Sequence, residues 1–342
     1  MDLVNHLFSN IPSSLEGRLL FAVPKKGRLL QATLDLLEGA DIHFKRENRL
    51  DIALVKNLPV ALVFLPAADI PTFVGEGRLS LGITGRDTVA EYESSLRRLE
   101  RKQDESGKTN EKSNHSHNQA GCQEILDLGF ASCKLQIQVP ENGVYVQPAD
   151  LIGKNVGTSF VNLTKDYFSK LEQKAEQDDG EKSKESLKTN VIELSGSVEA
   201  ACALGVADGI VDLSIPLESG ETMKAAGLKA IDTVVDSTAV LIQNHHPSDP
   251  HMVELITSRL HGIITARKYV LCQYNIARSK LEAAIKITPG KRAATVNPLE
   301  EDGWVAVSAM VEKTSIASVM DQLALVGATD ILVLKITNSR NI

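Results

Sequence analysis

The chain has 342 residues, 43% of them hydrophobic and 24% charged, a composition typical of a globular protein with two or three domains. Its formal net charge of −7 argues against a nucleic-acid surface as the main partner. Its four scattered cysteines, with no CxxC pair, indicate neither a zinc site nor a disulfide framework. We find no secretory signal and no run of about 18 apolar residues that would predict a membrane span. We therefore expect a cytoplasmic protein with reduced thiols, and no membrane partner.

Residues 19–92 alternate short apolar runs with amphipathic helical stretches. Strands are predicted at three apolar runs: 19–23, 60–65 and 79–84. Leucines at helical spacing predict a helix over 29–37, and Asp69 as N-cap with Pro71 just inside predicts another helix start. Strand–helix alternation of this kind indicates a mostly parallel sheet.

Two polar tracts interrupt the pattern. Residues 101–121 are dense in charge, Asn, Ser and His, and cannot bury enough apolar surface to offset their ordering entropy, so we predict a mobile surface insertion. The pair His115 and His117 lies in this tract, where two histidines are more often without function than a metal site. The run 170–188 predicts a second solvated loop or a frayed helix end.

A second α/β lobe is predicted between and after these tracts, from the segments 126–139, 153–159, 161–170 and 191–213. The apolar run 232–243 then predicts a strand that leaves this lobe. Two α/β lobes with a chain that crosses back imply a cleft, and clefts at domain interfaces are favoured ligand sites.

The pattern changes after the proline-punctuated linker 244–250, where Asp249 is placed to cap a helix over 251–265. Residues 268–336 then predict strand, helix, strand, strand, helix and strand. The order βαββαβ is typical of the ferredoxin-like unit. This domain has no evident catalytic residues, and small domains of this type often bind regulators or pair edge to edge.

The segment from Ser195 to Met223 has the densest set of candidate site residues. It predicts a short helix, a buried strand ending at Asp212 and a small-residue loop that opens another helix. Backbone N–H groups, hydroxyls and a helix N-terminus suit a phosphate, and the neighbouring acids suit ribose hydroxyls or magnesium. The loop and its flanking acid are Glu218, Ser219, Gly220, Glu221 and Thr222. The simpler alternative is that the hydroxyls are only helix N-caps and that Gly205 is only a C-cap.

A basic turn, with Lys25, Lys26 and Arg28, follows the first predicted strand. The arginine fork offers bidentate contacts to a nucleotide phosphate. The alternative is a solvated basic turn without a ligand.

These motifs resemble those of the ATP phosphoribosyltransferase family. The signature of that family is matched at nine positions: Glu199, Gly205, Ala207, Ile210, Asp212, Leu213, Ser219, Gly220 and Thr222. The basic turn is similar to the family's Lys-x-Gly-Arg-Leu motif near the ATP site, matched here by Lys25, Gly27, Arg28 and Leu29. In the C-terminal part, segments 268–272 and 287–291 resemble those of fungal-type members. One departure is that five residues, 214–218, separate the Asp-Leu pair from the phosphate loop, where the family usually has two. The extra Ser214, Ile215 and Pro216 lengthen the segment that leads into the loop.

The resemblance implies the long, histidine-inhibited form of the enzyme. Its fold would be α/β, with a two-lobed, periplasmic-binding-protein-like catalytic core around a cleft and a C-terminal ferredoxin-like regulatory domain. The expected boundaries are 1–97 with 231–246 for lobe I, 98–230 for lobe II with insertions near 101–121 and 172–188, and 250–342 for the regulatory domain. The expected assembly is a hexamer.

The reaction implied is attack of N1 of ATP on C1 of phosphoribosyl pyrophosphate (PRPP), with release of pyrophosphate, the first step of histidine biosynthesis. The resemblance, with the residue chemistry, assigns catalysis to Lys25, Arg28, Glu199 and Asp212. It assigns ATP binding to Lys25, Gly27, Arg28, Arg49 and Asp87, and the PRPP phosphate to residues 218–222. Mg²⁺ is the expected cofactor, with Asp212 or Glu199 as candidate ligands, and histidine is the expected inhibitor. No strong base is required because N1 of adenine is already a nucleophile, and catalysis then depends on positioning and charge neutralisation.

Two other hypotheses stay open at this point. Two lobes around a cleft also build non-catalytic proteins that bind small anions, and the C-terminal domain alone would suit an amino-acid sensor.

Overall fold

The computed structural model describes residues 15–46, 50–105, 121–179, 187–215, 223 and 225–340. Over these residues the chain forms three β-sheets, of six, five and four strands. Two compact units divide the chain: Met1–Leu34 with His43–Val253, and Asp35–Ile42 with Glu254–Ile342. The two larger sheets belong to the first unit and the four-stranded sheet to the second.

The strands, in chain order, are β1 (Leu19–Pro24), β2 (Ile52–Leu54), β3 (Val60–Leu65), β4 (Leu81–Gly85), β5 (Cys122–Asp127), β6 (Cys133–Pro140), β7 (Asn155–Thr158), β8 (Asn190–Glu193), β9 (Gly209–Ser214), β10 (Leu228–Ser237), β11 (Ala239–Asn244), β12 (Tyr269–Ala277), β13 (Thr295–Pro298), β14 (Trp304–Glu312) and β15 (Thr329–Lys335). The helices are α1 (Leu30–Gly39), α2 (Ile70–Gly75), α3 (Arg86–Glu105), α4 (Val161–Asp179), α5 (Pro250–Lys268), α6 (Leu281–Ile287) and α7 (Ile316–Leu325). Short 3₁₀ turns occupy Pro148–Leu151, Val198–Ala200 and Arg278–Lys280.

The six-stranded sheet has the order β2-β3-β1-β4-β11-β5. Its centre consists of the three strands predicted from apolar runs, and β1 is parallel to both β3 and β4. The outer strands β2, β11 and β5 pair antiparallel, so the sheet as a whole is mixed rather than mostly parallel. All five residues of β4 are buried, as expected for a central strand covered on both faces.

The five-stranded sheet has the order β10-β6-β9-β7-β8. Strands β7, β8 and β9 are parallel, and β6 runs antiparallel to both of its neighbours, β9 and β10. Its core contains Leu135, Val156, Phe168 and Val211, all fully buried.

Two short segments link these sheets: residues 128–132 between β5 and β6, and Thr238 between β10 and β11. The register pairs Ala239 with Gly85, at the carboxyl end of β4, and pairs the β6 residue Lys134 with Ser214, at the carboxyl end of β9. Both links therefore join the carboxyl edges of the parallel strands of the two sheets. In open α/β sheets ligands bind at this edge, so the fold places a cleft where the candidate motifs lie.

The sheets divide the chain at other residues than the lobe boundaries expected from sequence. Strand β5 belongs to the first sheet, because it pairs with β11, and β10 belongs to the second, because it pairs with β6. In the chain, the polar tract near 101–121 therefore falls between β4 and β5, two strands of the same sheet. Its remaining part, 106–120, which includes His115 and His117, lies outside the described residues.

The second polar run, 170–188, is helical through Asp179, so its described first part is the end of a helix and not a loop, the other alternative given above. The helix persists because its inner face buries Phe168 and because the buried Glu172 carboxylate accepts hydrogen bonds from the backbone N–H groups of Lys188 and Thr189, at 2.8 and 2.9 Å. Lys170, Gln173 and Lys174 are exposed and form the solvated face of α4.

The four-stranded sheet has the order β13-β14-β12-β15, with every neighbouring pair antiparallel. With α6 and α7 this is the predicted ferredoxin-like βαββαβ unit. Residues of β12 and β14 alternate between buried and half-buried, and the buried Tyr274 hydroxyl shares a 2.7 Å hydrogen bond with Thr288.

The two predicted aspartate caps differ. The backbone N–H of Met252 donates to Asp249 Oδ1 at 3.0 Å, so Asp249 caps α5 as predicted. Asp69 occupies the N-cap position of α2, but its side chain accepts no capping hydrogen bond.

Candidate active site

The basic turn follows β1 at the carboxyl edge of the first sheet. Gly27 has φ +81°, a left-handed conformation that glycine adopts without strain, and this reverses the chain before α1. Lys25 Nζ donates to Asp51 Oδ2 at 2.8 Å, and both side chains are about half exposed. An exposed ion pair is weak, so Lys25 can exchange this partner for a phosphate at little cost.

Arg28 lies in the same turn but is more enclosed. Its Nη1 donates to the backbone oxygen of Ala131 at 2.8 Å, and its Nη2 lies 3.7 Å from Asp87 Oδ1. Asp87 is only 1% exposed. The guanidinium is therefore the counter-ion of a buried carboxylate, which fixes its position.

Asp87 belongs to the first turn of α3, directly after β4. A side chain at Gly85 would occupy the space that Asp87 Oδ1 fills, so the glycine allows the carboxylate to fold back over the strand end. The Asp87 backbone N–H donates to Ser237 Oγ at 3.0 Å, and the Ser237 hydroxyl donates to Asp87 Oδ1.

Cys133 connects the basic turn to the second lobe. Its thiol lies within hydrogen-bond reach of Arg28 and Ser237; burial raises its pKa and the positive charge of Arg28 opposes the rise. The next residue, Lys134, pairs with Ser214 at the end of β9. Arg28 thus lies beside the start of β6, the strand that pairs with β9.

Two acidic candidates lie in the second lobe. Glu199 is exposed on the 3₁₀ turn Val198–Ala200, which begins after Ser197 at φ +50°, and Asp212 is half-buried in β9. Burial raises the pKa of Asp212, and the negative charge of Glu199 raises it further. The two carboxylates therefore lie close enough to repel each other, an arrangement that a cation or the hydroxyls of a sugar would stabilise.

A cavity of about 270 Å³ lies between the lobes, where α3 meets the turn between β7 and α4. Hydroxyl and amide groups contribute much of its lining, including Thr72, Thr88, Tyr92, Ser159 and Asn162. At one side Glu91 accepts hydrogen bonds from the backbone N–H groups of Asn162 and Leu163, at 2.7 and 2.8 Å, and from the Asn162 side-chain amide at 2.9 Å. This carboxylate from α3 therefore caps α4 across the cleft.

Comparison with known proteins decides the family. The model described as HisG: ATP phosphoribosyltransferase matches residues 66–262, and that of the HisG C-terminal domain matches 266–338. An ATP phosphoribosyltransferase of Yarrowia lipolytica is 53% identical over 340 residues, which is 99% of this chain and 100% of the relative. One of Schizosaccharomyces pombe is 50% identical over 342 residues, with the same coverage. The chain belongs to the ATP phosphoribosyltransferase family.

A solved structure agrees with the architecture expected of an ATP phosphoribosyltransferase. The ATP phosphoribosyl transferase (HisG:HisZ) complex from Thermotoga maritima superposes with a TM-score of 0.52 at 20% identity, over 71% of this chain and 96% of that chain. This likeness concerns the fold alone. The predicted family, fold class and pentosyltransferase class are confirmed.

The structure brings together some of the predicted site residues. Arg28 and Asp87 form an ion pair, and Glu199 and Asp212 interact electrostatically. Arg49 and the whole phosphate-loop segment, Glu218, Ser219, Gly220, Glu221 and Thr222, lie outside the described residues. Their roles stay predictions, as does the effect of the Ser214–Pro216 extension.

Three contacts of the site were not predicted from sequence: those of Glu91, Ala131 and Ser237. One signal existed for Glu91, because it follows Asp87 by four residues and so shares its face of α3. Ala131 and Ser237 lie in or beside the lobe links, whose position depends on strand pairing and not on a local motif.

The described residues contain no group of three or more His, Cys, Asp or Glu side chains placed to hold a metal ion. Within the same residues, no helix combines the length and apolarity that crossing a bilayer requires.

Proposed function

We propose that this chain joins ATP to PRPP, releasing pyrophosphate, as the first step of histidine biosynthesis. N1 of adenine forms the new bond to C1 of the ribose as the bond from C1 to the pyrophosphate oxygen breaks, and pyrophosphate leaves with the electron pair. The observation that carries the proposal is the position of Arg28. It belongs to the basic turn, which is similar to the family's ATP motif, and it contacts both Ala131, in the link to the second lobe, and the buried Asp87.

The residues act by positioning and by charge. Lys25 and Arg28 hold phosphates of ATP and neutralise the leaving pyrophosphate, with Gly27, Arg49 and Asp87 completing the ATP site. Preorganised cations of this kind stabilise charge that develops in the transition state without having to move.

In the second lobe, Glu199 and Asp212 orient the ribose. The loop Ser219, Gly220, Glu221 and Thr222, with Glu218 before it, grips the 5-phosphate. Holding both reactants in line replaces the chemical catalysis that a base or covalent nucleophile would supply.

Mg²⁺ fits the donor set of this cleft. Magnesium in such sites uses one or two protein carboxylates together with substrate phosphates, and the mutually repelling Glu199 and Asp212 offer two carboxylates. When bound to the pyrophosphate, the ion would neutralise charge on the leaving group.

The remaining family expectations complete the proposal. Residues 250–342 form a regulatory domain at which histidine inhibits the enzyme, and the two lobes before it form the catalytic core. The protein assembles as a hexamer and acts in the cytoplasm.

The direct test is a spectroscopic assay for the ATP adduct, with ATP and PRPP present and with or without histidine. We expect adduct formation that requires both substrates and that histidine slows. Absence of adduct with active substrates and Mg²⁺ would refute the proposed reaction, and a rate unaffected by histidine would refute the regulatory part alone.

Thr222→Ala tests the phosphate loop. We expect it to weaken PRPP binding much more than ATP binding, because only the 5-phosphate contacts this hydroxyl. Thr222→Ser, which keeps the hydroxyl, is the matched control and should bind PRPP nearly as the wild type does. Equal weakening of both substrates by Thr222→Ala contradicts the assignment.

A further inference from the structure

We infer that Ser237 is a positioning residue for this reaction: its hydroxyl holds Asp87, and through Asp87 it sets the guanidinium of Arg28 relative to the links between the lobes. The inference rests on the proposed function, in which Arg28 contacts the substrate phosphates. Ser237 itself does not touch substrate in this scheme.

The Ser237 hydroxyl makes two hydrogen bonds with one residue. Its oxygen accepts the backbone N–H of Asp87 at 3.0 Å, and its hydrogen goes to Asp87 Oδ1. The N–H is one of the first donors of α3, which have no partner within the helix. Both Ser237 and Asp87 are nearly inaccessible, at 3% and 1% exposure, so water does not replace the hydroxyl if it is removed.

The same carboxylate oxygen faces Arg28. Oδ1 of Asp87, which accepts the Ser237 hydroxyl, is also the atom 3.7 Å from Arg28 Nη2. A change in the rotamer of Asp87 therefore moves the counter-charge of Arg28 directly. Because the pair is largely enclosed, a displaced carboxylate would redirect the guanidinium rather than leave it in place.

Arg28 is in this way connected to both links between the lobes. Its Nη1 binds the oxygen of Ala131 in the link 128–132, and Asp87 connects it to Ser237, directly before the single-residue link Thr238. Ala131 has φ +54°, a conformation that is uncommon for a residue other than glycine and that clusters at functional sites. A rotation of one lobe against the other therefore changes the position of Arg28 in the cleft.

The chain offers a matched control in Ser94. This serine lies on α3, is fully buried, and donates its hydroxyl to the Asp166 carboxylate of the other lobe. It makes the same kind of interlobe hydrogen bond as Ser237, but its partner is bound by Arg98 and not by Arg28. A loss of stability or a general loosening of the lobes should affect both serine variants alike.

The experiment measures kcat, both KM values and thermal unfolding of the full-length chain for Ser237→Ala, Ser237→Thr and Ser94→Ala. Displacement of a catalytic group by about 1 Å costs on the order of 100-fold in rate, so we expect kcat of Ser237→Ala to fall roughly 10- to 100-fold. KM for PRPP should change less than about twofold, because in the proposed scheme the 5-phosphate is bound by residues 218–222 and not by Arg28. Ser237→Thr should restore most of kcat, and Ser94→Ala should lower the melting temperature with kcat within about twofold of wild type.

The double variant Arg28→Ala/Ser237→Ala separates positioning from general damage. If Ser237 acts through Arg28, its replacement lowers kcat no further once Arg28 is gone, whereas independent effects multiply. Multiplying effects overturn the inference, as does an equal loss of kcat in Ser237→Ala and Ser94→Ala. Wild-type protein without turnover would instead refute the proposed function, and with it the premise of this inference, before any variant is compared.

Discussion

Replacing Glu91 with alanine tests the contact that joins α3 to the N-terminus of α4 across the cleft. The carboxylate accepts three hydrogen bonds, of 2.7, 2.9 and 2.8 Å, two of them from backbone N–H groups of the first helical turn. Loss of an N-cap acceptor costs about 1–2 kcal/mol, and loss of the negative charge at a helix N-terminus about 0.3–1 kcal/mol more. We therefore expect Glu91→Ala to lower the free energy of unfolding by roughly 1–3 kcal/mol.

For a unit of this size, each 1 kcal/mol corresponds to about 2–4 °C in the melting temperature, so the expected decrease is roughly 3–12 °C. Urea and thermal unfolding followed by circular dichroism measure it. Glu91→Gln keeps an acceptor oxygen but loses the charge, and should fall between the wild type and Glu91→Ala.

Glu93→Ala is the matched control on the same helix. Glu93 pairs with Arg97 at 3.9 Å, with both side chains about half exposed, so its removal should cost less than about 0.5 kcal/mol. If Glu91→Ala is no more destabilising than Glu93→Ala, the capping argument is wrong.

Three further predictions concern charge, packing and thiols. Burial and the negative charge of Glu199 raise the pKa of Asp212, so the stability of the folded protein falls as pH rises through that pKa. Asp212→Asn should therefore raise the melting temperature at pH 7 by about 1–4 °C while lowering turnover. A lower melting temperature contradicts this prediction. Gly82→Ala would place a methyl group 2.5 Å from Cγ2 of Ile70 and should lower the free energy of unfolding, measured in urea, by about 1–3 kcal/mol. An unchanged urea midpoint would show that α2 moves away from the methyl group without loss of stability. Burial raises the pKa of the Cys122 thiol to about 12, so this thiol should resist Ellman's reagent at pH 8 until the protein is denatured; its reaction in the native protein would refute the burial.

Local patterns predicted the C-terminal domain most closely. The order of strands and helices expected over residues 268–336 is the order that the structure shows, because short apolar runs there are separated by clear turn and cap signals. Residues 170–179 show the opposite case. Their charge suggested a loop or a frayed helix end, but charged residues on one face of a helix are compatible with a buried opposite face. The hydrogen-bond partners of Glu172 lie beyond the helix, at Lys188 and Thr189.

In the site, sequence motifs identified Arg28 and Asp87 but not what holds them. The motifs identify the residues that carry the chemistry but not their distant partners. Ser237, 150 positions from Asp87 in the chain, contacts it only because the chain passes from β10 in the second sheet to β11 in the first. The same reasoning applies to the sheet to which β5 belongs. A polar tract suggests a border between two lobes. However, β5 belongs to the first sheet because it pairs with β11, and no local sequence pattern in β5 predicts that pairing.

The strand order β4-β11-β5 has a consequence for synthesis of the protein on the ribosome. Strand β5 attaches to the first sheet only through β11, which emerges more than 100 residues later, after the whole second lobe. The nascent chain therefore exposes the unpaired edge of β4 while the second lobe is made, and such edges are prone to aggregation. The first lobe is therefore completed after the second lobe, although β1 leaves the ribosome before any strand of the second lobe.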